Sequence, residues 1–92
     1  MVLTVNGEHL LEPEQAHAYL RELFGFPAYY GNNLDALYDM LTQITEPSFI
    51  IFQPAASDRQ SGFYRRLLRV FCDAAEDNPA LQLQLEDEPG AE

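Results

Sequence analysis

Asp35 and Asp39 stand four residues apart in the stretch Tyr29-Tyr30-Gly31-Asn32-Asn33-Leu34-Asp35-Ala36-Leu37-Tyr38-Asp39. On a helix that spacing places both carboxylates on one face, where like charges cost roughly a few tenths of a kcal/mol. Asp35, in the first turn, recovers some of this from the helix dipole, and Asp39, a turn later, recovers less. Such a pair could serve as the general acid and base of a hydrolase, or it could recognise cations on a partner. Acid–base work needs shifted pKa values, which come from burial or close pairing. The sequence shows no histidine or metal cluster beside these acids. Recognition is better supplied. Tyr29 and Tyr30 precede the acids in a loop opened by Pro27 and turned by Gly31, Tyr38 lies between the acids, and Thr42 sits beside them. Aromatic anchors next to carboxylates suit a basic, concave surface. From pattern alone, a solvated helix face with two incidental acids is the simpler account.

Other chemistry is hard to build from these residues. The glycine-rich phosphate loops, the nucleophile elbow, the H-E-x-x-H zinc helix and the EF-hand loop are absent from the sequence. The lone Cys72 and the scattered His9 and His17 do not make a metal site, and no cofactor is expected. His17 lies at the edge of an apolar stripe and reads as structural or merely exposed. Cys72 falls on a polar helix face near arginines and reads as an incidental surface thiol.

The elements that must hold the acids can be traced along the chain. Val2–Val5 is β-branched and apolar, closed by the turn signal Asn6-Gly7, and predicts a first strand. Pro13 opens a helix whose apolar residues Ala16, Tyr19, Leu20, Leu23 and Phe24 recur at helical spacing, and Gly25 with Pro27 stops it. Glu12 is a poor cap for that helix. Asn33 is a good N-cap for a second helix running to Thr42 or Gln43, with Leu34, Leu37, Met40, Leu41 and Ile44 on the side away from the acids. Ser48–Phe52 is a continuous apolar run and predicts a strand without a polar face, central in a sheet. Residues 53–61 form a polar connection with room for a short turn of helix at most. A third helix is predicted from Gly62 to about Glu76. Phe63, Leu67, Val70, Phe71 and Ala74 form its apolar stripe, and Arg65, Arg66, Arg69, Cys72, Asp73 and Glu76 lie opposite. Leu81–Leu85 alternates with glutamines and predicts an edge strand. The order β, α, α, β, α, β argues for a two-layer α/β domain with a three-stranded parallel sheet in the order 1-2-3, packed with three or four helices. The expected domain spans residues 1–86, and 87–92 read as an acidic, solvated tail.

Composition sets the outer limits. The 92 residues suffice for one domain and include 15 acids against 5 bases, all arginine, for a net charge of −10. That charge disfavours nucleic acid and anionic membranes and favours basic partners. With one cysteine, no internal disulfide forms. The opening MVLTVNGEHLL does not read as a secretory signal, and no apolar run approaches membrane-spanning length, so a cytoplasmic protein is expected.

The stretch YYGNNLDALYDMLT resembles the signature of the barstar family, intracellular inhibitors of barnase-type ribonucleases. The resemblance extends to the opening strand with VNGE, the P-x-YYG loop, the strand after Pro47, and a last helix with LLRVFCDA. It implies a barstar-like fold and a protein, monomeric when free, that plugs the active site of a basic, extracellular-type ribonuclease. Asp39 then matches the acid that occupies the phosphate site, and Asp35 a second acid paired with an active-site arginine. Tyr29 matches the aromatic against the catalytic histidine, while Gly31 and Asn33 match residues that shape the loop and touch the enzyme. Asp73 matches the acid of the last helix, and Glu76 does not. Tyr30, Tyr38 and Thr42 belong to the same expected contact region. The sequence departs from the pattern at Tyr38, where the founding member has Trp, and at Asp73, which is shorter than the family's Glu. Two other classes remain open on the residues alone: a hydrolase using the two aspartates, and an interaction module or immunity protein that neutralises a different basic protein or toxin.

Overall fold

A computed structural model describes residues 1–53 and 62–85. The expectations for the 54–61 connection and for the 87–92 tail lie outside the described residues. Strand β1 (Val2–Asn6) is followed by helices α1 (Pro13–Phe24) and α2 (Leu34–Thr42), then by strand β2 (Ser48–Gln53), helix α3 (Gly62–Asp77) and strand β3 (Leu81–Leu85). The sheet is parallel throughout, in the order β1-β2-β3, with Val5, Phe52 and Leu85 in register across it. The apolar run is therefore the central strand and the alternating run an edge, as their side chains require.

One face of the sheet carries the core. Val5, Ile50 and Phe52 are buried against Leu20, Leu37, Leu41, Leu67 and Phe71, and Phe52 meets Phe71 edge-on at 4.8 Å. Each such Leu or Phe contributes on the order of 2 kcal/mol by leaving water. Phe49 and Ile51 point to the opposite face and are only half-buried. The uninterrupted apolar run thus reflects a central position more than complete cover on both sides.

Local signals acted where they stand. Pro13 begins α1, no side chain caps it at Glu12, and Gly25 ends it at φ 71°, a left-handed backbone that glycine adopts without strain. Two expectations need correction. Asn6-Gly7 does not simply end the strand. Asn6 accepts a bond from the Glu8 amide and opens a short 3-10 turn over Gly7–Leu10, which buries Leu10. In α3, Tyr64 belongs to the buried face with Leu67, Phe71 and Ala74, while Phe63 is displaced to its border. There the Phe63 ring lies edge-on to His17 at 5.9 Å.

Candidate functional site

The loop before α2 is built by three local devices. The Tyr30 amide donates to the Pro27 carbonyl at 3.0 Å and closes a turn. Asn32 takes φ 55°, a conformation that asparagine tolerates better than most residues. Asn33 then caps α2: its Oδ1 accepts from the Ala36 amide at 2.7 Å, and its Nδ2 donates to the Gly31 carbonyl at 3.3 Å. A Cβ on Gly31 would sit 3.3 Å from that same Nδ2, so the loop closes tightly over the cap.

These devices turn adjacent tyrosines to opposite sides. Tyr29 is 78% exposed, a large aromatic offered to solvent, whereas Tyr30 is 4% exposed. The Tyr30 hydroxyl and His17 Nδ1 are 2.6 Å apart in the interior. Burial pushes the Tyr30 phenol up to about 12 and lowers His17, which favours a neutral imidazole able to accept the phenol proton. The structure therefore does not bring the Tyr30 ring to the face that carries the acids. A buried hydroxyl needs a partner, and His17 supplies it. His17 is structural, one of the two readings the sequence allowed.

Along α2, Leu37 and Leu41 are buried while Asp35 and Asp39 are exposed on the outer side. Tyr38, between them, leans toward α3 and donates its hydroxyl to Asp77 Oδ2. That bond raises the Tyr38 phenol, with smaller contributions from burial and from the negative charges of Asp77, Asp73 and Asp39. Thr42 turns its hydroxyl back to the Tyr38 and Asp39 carbonyls, both at 3.0 Å, and so serves the end of the helix. Asp73 lies on the exposed side of α3, with Arg69 Nε 3.9 Å away, a long and solvated pair. The outer surface of α2 and the end of α3 thus gather Asp39, Asp73 and Asp77 around the Tyr38 ring. Among the described residues, no cluster of His, Cys, Asp and Glu could hold a metal ion. No described helix is long and apolar enough to cross a membrane.

Two members of this arrangement escaped the sequence reading. Asp77 stands one turn beyond Asp73 on the same face, a spacing that could have suggested it. Asn78 stands directly after the last residue of α3. It is 8% exposed, and its Nδ2 donates to the carbonyls of Leu41 at 3.0 Å and Ile44 at 2.9 Å. Its Oδ1 accepts from the Ala80 amide at 3.0 Å. Asn78 thereby adds a second donor to the Leu41 carbonyl, which also accepts from the Ile44 amide at 3.3 Å, and supplies a donor to the Ile44 carbonyl just past the end of α2. At nine residues, α2 is shorter than an isolated stable helix, for which about 12–15 residues are marginal. An asparagine side chain ties each end.

The family model described as Barstar (barnase inhibitor) matches residues 1–88, nearly the whole chain, and the chain belongs to that family.

Proposed function

We propose that this barstar-family chain blocks the active site of a basic, barnase-type ribonuclease, with the α2 carboxylates taking the place of substrate phosphate. The observation that carries the reading is the exposed pair Asp35 and Asp39 on a helix tied at both ends by Asn33 and Asn78. A ribonuclease groove holds phosphate with cationic side chains. Asp39, on the outer face of α2, enters that subsite, and Asp35 pairs with a second cation one turn away. Tyr29, already exposed, lies against the catalytic histidine. Gly31 and Asn33 give the loop its close backbone approach. Tyr38 and Thr42 flank the acids, Asp73 stands at the rim, and Tyr30 acts from beneath by holding the loop to His17. Because α2 is ordered before contact, binding does not carry the cost of ordering it. The net charge of −10 speeds encounter with a basic enzyme, on the order of 10⁸ M⁻¹s⁻¹ at low salt for steered complexes.

In this reading the chain acts by occupation and has no catalytic step, metal or cofactor of its own. The test titrates the protein into purified barnase with an RNA substrate. Cleavage should fall linearly to a one-to-one end point, and the protein alone should leave RNA intact. Undiminished cleavage at micromolar inhibitor would overturn the reading, as would cleavage by the protein alone.

A further inference from the structure

The chain is strongly acidic, yet three of its five arginines, Arg65, Arg66 and Arg69, stand together on the exposed side of α3. With Val70 they line one side of a shallow groove whose other side is the start of α2, Leu34 and Asp35. Arg65 and Arg66 have no ion-pair partner among the described residues. Farther along α3 the sign reverses: Asp73, Glu76 and Asp77 are three of the last five residues. The outer surface therefore changes from basic beside Asp35 to acidic beside Asp39 and Tyr38.

This order does not serve α3 itself. A helix dipole favours acids in the first turn and bases in the last, and α3 has neither. Arg65 lies in its first turn and acids fill its end. Charges set against a local rule, on side chains that stay exposed beside α2, belong to a surface with another use.

We propose that the groove between the start of α2 and the first half of α3 receives a carboxylate-bearing rim of the ribonuclease, so that the partner surface is bipolar: a basic groove met by Asp35 and Asp39, and acidic side chains beside it met by Arg65, Arg66 and Arg69. The proposal rests on the ribonuclease-blocking reading above. Charge complementarity selects the occupant. Three guanidiniums beside the half-buried Leu34 and Val70 match carboxylates on a protein surface, while the neighbouring acids repel a polyphosphate chain. The groove is also continuous with the proposed contact, since Asp35 belongs to both.

The double variant Arg65→Glu/Arg66→Glu gives opposite signs for the two cases. It carries the net charge from −10 to −14. Against a uniformly basic partner, that change speeds association and tightens binding. Against a bipolar partner it sets like charges together and weakens binding at least about tenfold, with the penalty shrinking as salt rises. The isolated variant should be no less stable than the parent, because acids replace bases near the start of α3, so weaker binding cannot be laid to misfolding. Dissociation constants for purified barnase are measured for the parent, the double variant and Asp39→Ala, at low and high salt. Weaker binding by the double variant supports the inference. Equal or tighter binding overturns it, and if Asp39→Ala is still weakened the ribonuclease reading survives alone. A parent that does not bind barnase overturns both.

Discussion

Replacing Asn78 should show how much of the α2 platform depends on one side chain outside it. In Asn78→Ala, the carbonyls of Leu41 and Ile44 each lose the Asn78 donor, Leu41 keeping the Ile44 amide, and the Ala80 amide loses its acceptor. Asn78 is 8% exposed, so water reaches the site only after some opening. At about 1 kcal/mol net for each lost bond, the cost is about 2–3 kcal/mol. That is a large share of the roughly 5–14 kcal/mol expected for a chain of 92 residues. Asn78→Asp is nearly isosteric and should be worse at neutral pH. One oxygen still accepts from Ala80, but the other now faces two carbonyls, and the carboxylate is buried. The buried acid's pKa rises above the unfolded value of about 3.9. Its folded form then binds more protons than its unfolded form, so stability is lost as pH rises through the folded pKa. Below about pH 4 the protonated acid can donate to one carbonyl, and the variant should approach Asn78→Ala. Urea midpoints for parent and both variants, compared at each pH from about 4 to 8 with unchanged slopes, give the differences directly. If Asn78→Asp stays within about 0.5 kcal/mol of the parent, or its deficit is flat with pH, Asn78 does not clamp α2 as described.

Asp39→Ala should cost about 2–5 kcal/mol of ribonuclease affinity, mainly through faster dissociation, because it leaves desolvated enzyme cations together. Asp73→Ala, whose carboxylate shares Arg69, should cost under about 1 kcal/mol and act on a salt-sensitive association rate, so stopped-flow traces in which the two variants behave alike would contradict these roles. Burial lowers His17 from 6.5, so the unfolded chain takes up a proton before the folded one does. Stability should therefore fall as pH drops from 6.5 through the folded value, by at most about 1.4 kcal/mol per pH unit, and His17→Gln should remove that slope in urea titrations. Asn33→Ala should destabilise the fold by about 1 kcal/mol and Asn33→Gly by only a few tenths, since glycine is nearly as good at that position; equal losses in thermal melts would argue against the cap.

Much of the architecture could be read from local chemistry. Pro13, Gly25 and Asn33 mark helix ends by backbone geometry and hydrogen-bond capacity, which act within a turn of their own position. The sheet order followed from which strand could tolerate burial. What stayed hidden depends on distant partners. Helical spacing defined the α3 stripe but not which of its borders meets the sheet, so Tyr64 was missed and Phe63 was placed too deep. Tyr29 and Tyr30 are the same residue type side by side. Only the turn at Pro27 and the neutral imidazole of His17 decide that one faces out and the other in. Asn78 lies 37 residues from the Leu41 carbonyl it serves, and no single-sequence pattern links the two. The roles expected for Asp39, Asp35 and Asp73 came from likeness to a family, and the geometry adds the support beneath them.

That support separates folding from recognition. Asp35 and Asp39 repel each other across one turn, and neither has a hydrogen bond or ion pair in the described structure that would offset the cost. The helix nonetheless forms, because Leu37 and Leu41 are fully buried and the two asparagines complete the backbone bonds at its ends. The carboxylates are thus held out in water, with their geometry set by groups that touch no partner. A change at Asp39 should alter binding while the urea midpoint stays or rises, since relieving the repulsion stabilises α2 slightly. A change at Asn78 should lower the midpoint first and reach binding only through the population of folded α2. In Asn78→Ala with Asp39→Ala, the two effects should add in both measurements, because the side chains share no partner and act on different steps.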